Sequence, residues 1–343
     1  METGLARTSV PTTVAVMPEA RPGPRNLITD VAGLSVGNAE DTRVLTGATV
    51  VLADSQVVAA CDIAGGAPGT RELGVLRPES LVGAVDAVVL SGGSVYGLGA
   101  ADAVTAALGA AGRGFRLRAD APPAPIVPAA ILFDLANGGD KAWEDDPPYA
   151  RLGREALAAV ASDFRLGPTG AGCGALAGTL RGGLGSASAV TADGITVGAL
   201  AAVNSFGSVV AADGETFLAA PWEVDGEFGG RGPGQLRIAA DAWPHAKRDP
   251  QAGENTTLCV VATDAALTNV EAKRVAVMAR AGLACAIRPV FSPFDGDVIF
   301  ALATGRLPVA EPRPWTTARI GALAADCLAR AVARGVHAAR GAA

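Results

Sequence analysis

The chain has 343 residues and a formal net charge of −6 at pH 7, from 28 Lys and Arg against 34 Asp and Glu. An acidic protein of this kind is a poor partner for nucleic acid or an anionic membrane, and an aromatic fraction of 4% leaves few rings on which bases could stack. Because 50% of the residues are hydrophobic, the chain can bury the core of one large domain or of two.

The first third of the sequence alternates β-prone and helical patterns. Its N-terminus lacks a basic start followed by an apolar core, so we predict no secretory signal and expect a cytoplasmic protein with a flexible arm over residues 1–25. Apolar runs at 50–52 and 87–90 predict strands, and the Ala-rich run at 100–111 predicts a helix. This alternation indicates an α/β protein.

Two segments in the middle of the chain resemble common binding or membrane motifs. Residues 172–177 fit a loose G-x-G-x-x-A pattern, but residues 163–168 before them do not read as a buried strand, so we expect no dinucleotide site. Residues 195–212 carry no charge, yet polar residues and glycines interrupt them. That pattern predicts a buried strand, a turn and a second strand, and not a membrane span.

Residues 222–255 form a long segment rich in Gly, Pro and charge, which we interpret as a flexible loop ahead of a cleavage point. It ends at Asn255, and Thr256 opens a β-prone run. If the bond between them were cut, Thr256 would carry a hydroxyl nucleophile and a free α-amine, whose unperturbed pKa of about 8 suits a base. The alternative is a plain loop with strand-favouring threonines, and Asn255 also fits the glycosylation pattern N-x-[ST].

Two carboxylates precede the apolar run 298–302. Asp295 and Asp297 are two residues apart, so on an extended chain both project to one face and can orient a hydroxyl or an ammonium. The alternative is a turn built from Asp and Gly. Residues 268–271 fit a capping box that starts a helix, and apolar residues on one face predict a last helix over 320–331.

Histidine and cysteine are sparse. His245 lies in the Pro- and charge-rich segment and His337 near the C-terminus, so neither a Ser-His-Asp triad nor a His-based metal site is predicted. The cysteines are odd in number and lack C-x-x-C spacing, which indicates buried thiols and not a zinc site or a disulfide framework. We expect no cofactor and no metal.

Motifs spread along the chain occur in one order at 26–37, 90–98, 170–175, 203–207, 255–264 and 288–297. Together they resemble the DmpA-type family of self-processing N-terminal-nucleophile hydrolases. That family includes L-aminopeptidase/D-amidases, β-peptidyl aminopeptidases and nylon-oligomer hydrolases. The acidic pair at 295 and 297 resembles the acidic pair of the nylon-oligomer hydrolases, which are the members most similar in motif.

The resemblance implies an α/β fold, the four-layer αββα sandwich of the DmpA and ornithine acetyltransferase type. It implies one catalytic domain over 1–343 that cuts itself into 1–255 and 256–343, and a homo-oligomer, namely a tetramer of processed units.

It also implies the roles of the site residues. Thr256 would be the nucleophile, and Asn255 would become the C-terminus of the first fragment. The Asn204 amide would help to hold the oxyanion, while Asp295 and Asp297 would orient the nucleophile.

Three positions depart from the family pattern. Phe133 stands where better-known members have an active-site tyrosine, and Thr179 stands where a lysine is usual, with Arg181 close enough in sequence to replace it. Ile131 stands where the aminopeptidases have an acidic residue that binds the substrate's ammonium. An isoleucine cannot do this, which leaves Tyr96 as a candidate contact for a substrate amine.

We therefore expect an amide hydrolase that acts through an acyl-enzyme on small oligo-amides, such as aminohexanoate oligomers, or on peptides. An aminopeptidase acting on short peptides or amino-acid amides is the alternative, and it requires a carboxylate for the ammonium, for which Asp134 is a candidate. Acyl transfer of the ornithine acetyltransferase kind and an unprocessed, inactive homologue are further alternatives.

Overall fold

The computed structural model describes residues 19–234, 236, 238, 241–248 and 254–341. The strands in these ranges are β1 Leu34–Asp41, β2 Thr46–Ile63, β3 Gly69–Arg71, β4 Ala84–Ser91, β5 Ala129–Ile131, β6 Leu176–Ala177, β7 Leu180–Arg181, β8 Gly183–Val190, β9 Thr196–Asn204, β10 Thr256–Ala265 and β11 Val298–Leu307. The α-helices are α1 Gly99–Ala110, α2 Tyr149–Ala158, α3 Asn269–Ala286 and α4 Arg313–Arg340.

The strands form one continuous hydrogen-bonded sheet in the order β3-β5-β4-β2-β11-β10-β9-β8, with β1 added on β2. Neighbouring strands are antiparallel, except for the parallel pairs β10 with β11 and β4 with β5. Strands β6 and β7 form a separate hairpin. The strands predicted at 50–52 and 87–90 lie within β2 and β4, and the helix predicted at 100–111 is α1.

The 18-residue strand β2 joins two layers of this sheet. Residues 46–53 of β2 pair with β1 and residues 58–63 pair with β11, while β4 pairs with β2 at 48–52 and again at 57–58. Its register with β4 shifts between Leu52 and Val57. Because a strand's side chains alternate between its two faces, such an irregularity lets one strand change the layers against which its faces pack.

Three apolar clusters show the resulting layers. One lies between α3, α4 and the outer face of β8–β11, one between the two halves of the sheet, and one between β1, β2, β4 and helices α1 and α2. The order is therefore helix, sheet, sheet, helix, which confirms the predicted four-layer α/β architecture.

The alternation of side chains between the two faces of β10 determines the face on which Thr256, the predicted nucleophile, lies. Leu258 and Val260 belong to the central cluster, whereas Cys259 and Val261 belong to the cluster under α3 and α4. Thr256 is two residues before Leu258 and so lies on the central face, at the end of the strand. A one-residue slip would exchange the side chains of the two clusters and turn Thr256 away from the central face.

The C-terminal helices agree with the sequence pattern. Thr268 and Glu271 form the predicted capping box at the start of α3. The prediction for 195–212 was right for β9 and wrong for the second strand, because Ser208 and Val210 make only isolated bridges to Arg288 and Phe217. No helix in the described ranges combines the length and apolarity that crossing a bilayer requires.

Two segments predicted to be flexible are partly described. Residues 1–18 lie outside the described residues, while Arg21 exchanges backbone hydrogen bonds with Val190 of β8. In the pre-cleavage segment 222–255, Glu227, whose side chain is 8% exposed, pairs with Arg330 and Arg334 of α4. The upstream part of that segment is thus attached to the fold, and the flexibility of both segments stays a prediction.

Candidate active site

Thr256 begins β10 between two strands that hold it in place. It lies opposite Asn204 at the end of β9, in the antiparallel register that runs from Thr256 to Thr263. Both Thr256 and Asn255 are buried, and Asn255 forms an isolated bridge to Asp295 just ahead of β11. The ends of three neighbouring strands therefore bring together Asn204, Thr256 and the acidic pair.

The peptide bond between Asn255 and Thr256 is held by two donors. The carbonyl oxygen of Asn255 accepts a hydrogen bond from the Gly296 N–H at 2.7 Å and from the Thr256 Oγ1 hydroxyl at 2.5 Å. A backbone N–H that points at a carbonyl oxygen withdraws charge from the carbonyl carbon and stabilises an oxyanion formed there. The hydroxyl thus lies against the carbonyl group that self-cleavage would attack.

Gly296 leaves room for this arrangement. A Cβ atom on Gly296 would lie 2.7 Å from both Thr256 Oγ1 and the carbonyl oxygen of Ala67. Residues 64–67 run alongside, because the Ala67 N–H donates to the Asp295 carbonyl and the Ala64 N–H to that of Asp297. The segment that follows β2 therefore forms one wall of the site.

Asn204 is fully buried and its amide has a defined orientation. Its Oδ1 accepts from the Leu176 N–H at 2.9 Å and from Asn137 Nδ2 at 3.2 Å. Its Nδ2 donates to the carbonyl oxygens of Phe133 at 3.0 Å and Glu254 at 3.1 Å. Glu254 directly precedes Asn255. Nδ2 of Asn204 therefore faces the strand end where an oxyanion would form.

Asp295 and Asp297 are both buried and bind backbone groups around the nucleophile. Asp297 accepts from the N–H of Thr257 at 2.6 Å and of Phe291 at 3.3 Å. Asp295 accepts from the Phe206 N–H at 3.2 Å and from the Ser292 hydroxyl at 2.5 Å. Asp297 therefore fixes the backbone directly after Thr256, while Asp295 holds the segments at Phe206 and Ser292, and direct contact of the pair with the Thr256 hydroxyl stays a prediction.

Burial and the neighbouring charge of Asp295 raise the pKa of Asp297 to about 7, although backbone hydrogen bonds from Thr257 and Phe291 act in the opposite direction. Desolvation disfavours the charged carboxylate, and a like charge nearby adds to that effect. A carboxyl with such a pKa can exchange a proton near neutral pH.

A lysine that the sequence did not single out also reaches the site. The Nζ of Lys247 lies 3.4 Å from Oδ1 and 3.5 Å from the carbonyl oxygen of Asn204. Burial lowers the pKa of Lys247 to about 8, while the carboxylates of Asp295 and Glu254 act in the opposite direction. The site thus contains a cation although Thr179 occupies the position where the family has a lysine.

The four predicted pocket residues have different surroundings. Phe133 reaches Asn204 through its backbone carbonyl. Ile131 is buried in β5, where its side chain contacts Gly69 and Gly97. Tyr96 is half exposed and packs edge-on against Trp143, and the exposed Thr179 donates its N–H to the His245 carbonyl.

Asp134, the candidate partner for a substrate ammonium, is already bound. Its Oδ1 accepts from the Gly93 N–H at 2.7 Å and its Oδ2 from the Thr46 hydroxyl at 2.6 Å. Burial raises the pKa of Asp134, because desolvation disfavours the charged carboxylate. Among the described residues, no group of three or more His, Cys, Asp or Glu side chains could hold a metal ion.

Comparison with solved structures shows which known fold the chain has. A β-aminopeptidase of Burkholderia sp. superposes with a TM-score of 0.68 at 24% identity, over 93% of this chain and 88% of that chain. The L-aminopeptidase D-Ala-esterase/amidase of Ochrobactrum anthropi gives a TM-score of 0.70 at 22% identity, over 94% and 89%, and its structure is described as a variant of the Ntn hydrolase fold. This chain therefore has the fold of an N-terminal-nucleophile hydrolase.

The sequence comparisons give the family. The model of peptidase family S58 matches residues 26–343, so the chain belongs to that family. An uncharacterized aminopeptidase of Mycobacterium bovis is 44% identical over 331 residues, which are 91% of this chain and 93% of the relative. A 6-aminohexanoate-oligomer endohydrolase of Kocuria sp. is 28% identical over 312 residues, which are 85% and 79%. The resemblance to the DmpA-type family is confirmed, and the protein is an amide hydrolase.

Proposed function

We propose that the chain cuts itself between Asn255 and Thr256 and then hydrolyses amide bonds through an acyl-enzyme on Thr256. The observation that carries this proposal is the contact of the Thr256 hydroxyl with the Asn255 carbonyl, whose oxygen also receives the Gly296 N–H. Nucleophile, electrophile and an oxyanion donor are thus assembled at one peptide bond.

Self-cleavage begins when Thr256 Oγ1 attacks the carbonyl carbon of Asn255. The negative charge that develops on the carbonyl oxygen is held by the Gly296 N–H, which donates to that oxygen in the uncut chain. The C–N bond then breaks, the hydroxyl proton ends on the Thr256 nitrogen, and an ester joins Asn255 to Oγ1. Water hydrolyses this ester, which leaves a carboxylate on Asn255 and a free α-amine on Thr256.

Turnover repeats the same chemistry on a substrate. The α-amine takes the proton of Oγ1 while the oxygen attacks the substrate carbonyl. Once Glu254 no longer accepts from Asn204 Nδ2, that N–H is available to the oxyanion. The amine product leaves with the proton, and water then releases the acid and restores the hydroxyl.

The two fragments share one sheet. Strands β10 and β11 of the second fragment pair with each other and are inserted between β9 and β2 of the first. Both outer faces of this four-strand group are buried under other elements, so separation would expose a large apolar area. We therefore propose that the fragments stay associated, and cytoplasmic location and assembly into a tetramer remain predictions.

As substrates we propose short oligo-amides of the aminohexanoate type, cleaved at internal amides. Asp134 is occupied by Gly93 and Thr46, and Ile131 is apolar, so neither offers a carboxylate for a substrate ammonium. Aminopeptidase activity is the second candidate, because a relative at 44% identity carries that name.

The variants Thr256→Ala and Thr257→Ala test the nucleophile. Thr256→Ala should abolish both self-cleavage and amide hydrolysis, because only Thr256 holds the hydroxyl and the future α-amine. Thr257→Ala, whose side chain lies on the opposite face of β10, should impair both less. Near-wild-type turnover in Thr256→Ala would reject the mechanism.

A further inference from the structure

Lys247 reaches the site from the pre-cleavage segment, eight residues before Asn255. Its backbone N–H donates to the Phe206 carbonyl at 3.0 Å, and the neighbouring Ala246 is buried. The rings of Trp243 and Phe206 pack edge-on with centroids 6.2 Å apart. These contacts hold residues 243–247 against the segment that follows β9.

A second attachment comes from the β6–β7 turn. The Thr179 N–H donates to the His245 carbonyl at 3.0 Å, and Gly178 lies so close that a Cβ there would be 2.1 Å from the same oxygen. None of these contacts uses the bond between Asn255 and Thr256. Cutting that bond therefore leaves the attachment of residues 243–247 intact.

The ammonium of Lys247 contacts the residue opposite the nucleophile. It lies 3.4 Å from Asn204 Oδ1, which also accepts from Leu176 and Asn137. Three donors on Oδ1 leave the amide one orientation, with Nδ2 toward Glu254. A cation on the oxygen of an amide also polarises its N–H groups and makes them better donors.

We propose that Lys247 is a positioning residue of the active site, whose ammonium keeps the Asn204 amide turned toward the oxyanion that forms in turnover. The proposal rests on the function proposed above. The charged groups that face Lys247 are the carboxylates of Asp295, ahead of β11, and Glu254, ahead of β10.

The proposal implies a pH limit on the alkaline side. The pKa of Lys247 is about 8, so the ammonium is lost as the pH rises through that value. The α-amine of Thr256 acts in the other direction, since a base becomes available as pH rises. Activity should then rise and fall around pH 8, with Lys247 responsible for the fall.

Three variants and two readouts test this role. In Lys247→Met, kcat should drop by at least about tenfold with little change in KM, since an oxyanion donor has lost its orientation. The alkaline fall should also disappear. In Lys247→Arg the charge persists, so kcat should be partly restored and the fall should move to higher pH. The matched control is Lys273→Met. Lys273 pairs with Asp62, and Asp62 keeps its ion pair with Arg280 when Lys273 is replaced.

The outcomes separate this proposal from the proposed function. A cut, active wild type together with a Lys247→Met whose kcat is within about twofold and whose alkaline fall is unchanged would overturn the role of Lys247 alone. If Lys247→Met does not fold, the position of the alkaline fall in Lys247→Arg decides. An uncut, inactive wild type would overturn the proposed function.

If the wild type is uncut and inactive, the side-chain amide of Asn204 can still show whether the Lys247 ammonium contacts it. In the uncut variant Thr256→Ala, the NMR resonances of the Asn204 side-chain amide should titrate near pH 8. They should not titrate there in the double variant that also carries Lys247→Met. Resonances that stay constant from pH 7 to 9 in the chain with Lys247 would overturn the contact.

Discussion

The N–H of Gly296 donates to the carbonyl oxygen of Asn255 at 2.7 Å, and a Cβ on Gly296 would lie 2.7 Å from Thr256 Oγ1. One glycine thus supplies a donor to the bond that we propose is cut and leaves space for the hydroxyl that cuts it. The acidic pair on either side of this glycine fixes its backbone.

Gly296→Ala should slow self-cleavage by about 10²-fold, because a displaced nucleophile loses much of its proximity advantage. The time course of cleavage, followed by intact mass from freshly purified chain, measures this. Gly74→Ala is the matched control, since a Cβ at Gly74 meets no atom within 4 Å. Equal cleavage rates in both variants would show that the space beside Thr256 Oγ1 is not needed.

Asn204→Asp should reduce kcat by about 10²- to 10³-fold, the usual effect of losing one oxyanion donor. The change is close to isosteric, but it places an oxygen against the carbonyls of Phe133 and Glu254. Steady-state kinetics on the processed enzyme should show the loss in kcat and little change in KM. An unchanged kcat would remove Asn204 from the oxyanion site.

Asp297 should make the fold less stable as the pH rises from about 4 to 7. Its folded pKa is about 7, above the ordinary aspartate value of 3.8, so the folded chain holds a proton that the unfolded chain releases. That stabilisation is complete below the unfolded pKa and is lost as pH rises through the folded one, with a slope of at most about 1.4 kcal/mol per pH unit.

Urea unfolding at several pH values measures this slope. It is best done in Thr256→Ala, which remains one chain, and adding Asp297→Asn should flatten the slope between pH 4 and 7. The control Asp213→Asn should leave the slope between pH 4 and 7 unchanged and alter it only below about pH 4, because hydrogen bonds from Thr216 and Glu215 lower the pKa of Asp213 to about 2. A slope that survives the loss of Asp297 must come from another group.

The strand that begins at Thr256 could be predicted because it follows from a local pattern, the apolar β-prone run after the two threonines. The four layers were predicted from the order of the motifs, which carries the resemblance to the family. The second strand predicted within 195–212 was wrong, because composition does not reveal whether a partner strand is available at Ser208 and Val210.

The parts of the site that were missed come from segments without a motif. Lys247 lies in a charge-rich stretch where one more lysine has no distinguishing pattern, and residues 64–67 look like an ordinary turn after a strand. Their closeness to Asn204 and Asp295 depends on long-range packing. The one available signal was the missing lysine at Thr179, which left a cation to be found elsewhere.

Substrates with free and acetylated amines should separate the two candidate activities. We expect hydrolysis of linear aminohexanoate oligomers at internal amides, and weak activity on dipeptides and aminoacyl p-nitroanilides. Each buried methylene of such an oligomer contributes about 0.8 kcal/mol in an apolar site. If acetylation removes all activity and aminoacyl anilides are the best substrates, the protein is an aminopeptidase.

Denaturing intact-mass spectrometry of the purified wild-type protein shows whether the chain cuts itself. We predict two fragments of 255 and 88 residues (343 − 255 = 88), the second beginning at Thr256, which co-purify until the protein is denatured. A spectrum with only full-length chain after prolonged incubation, or a second fragment that begins at Thr257, would contradict it.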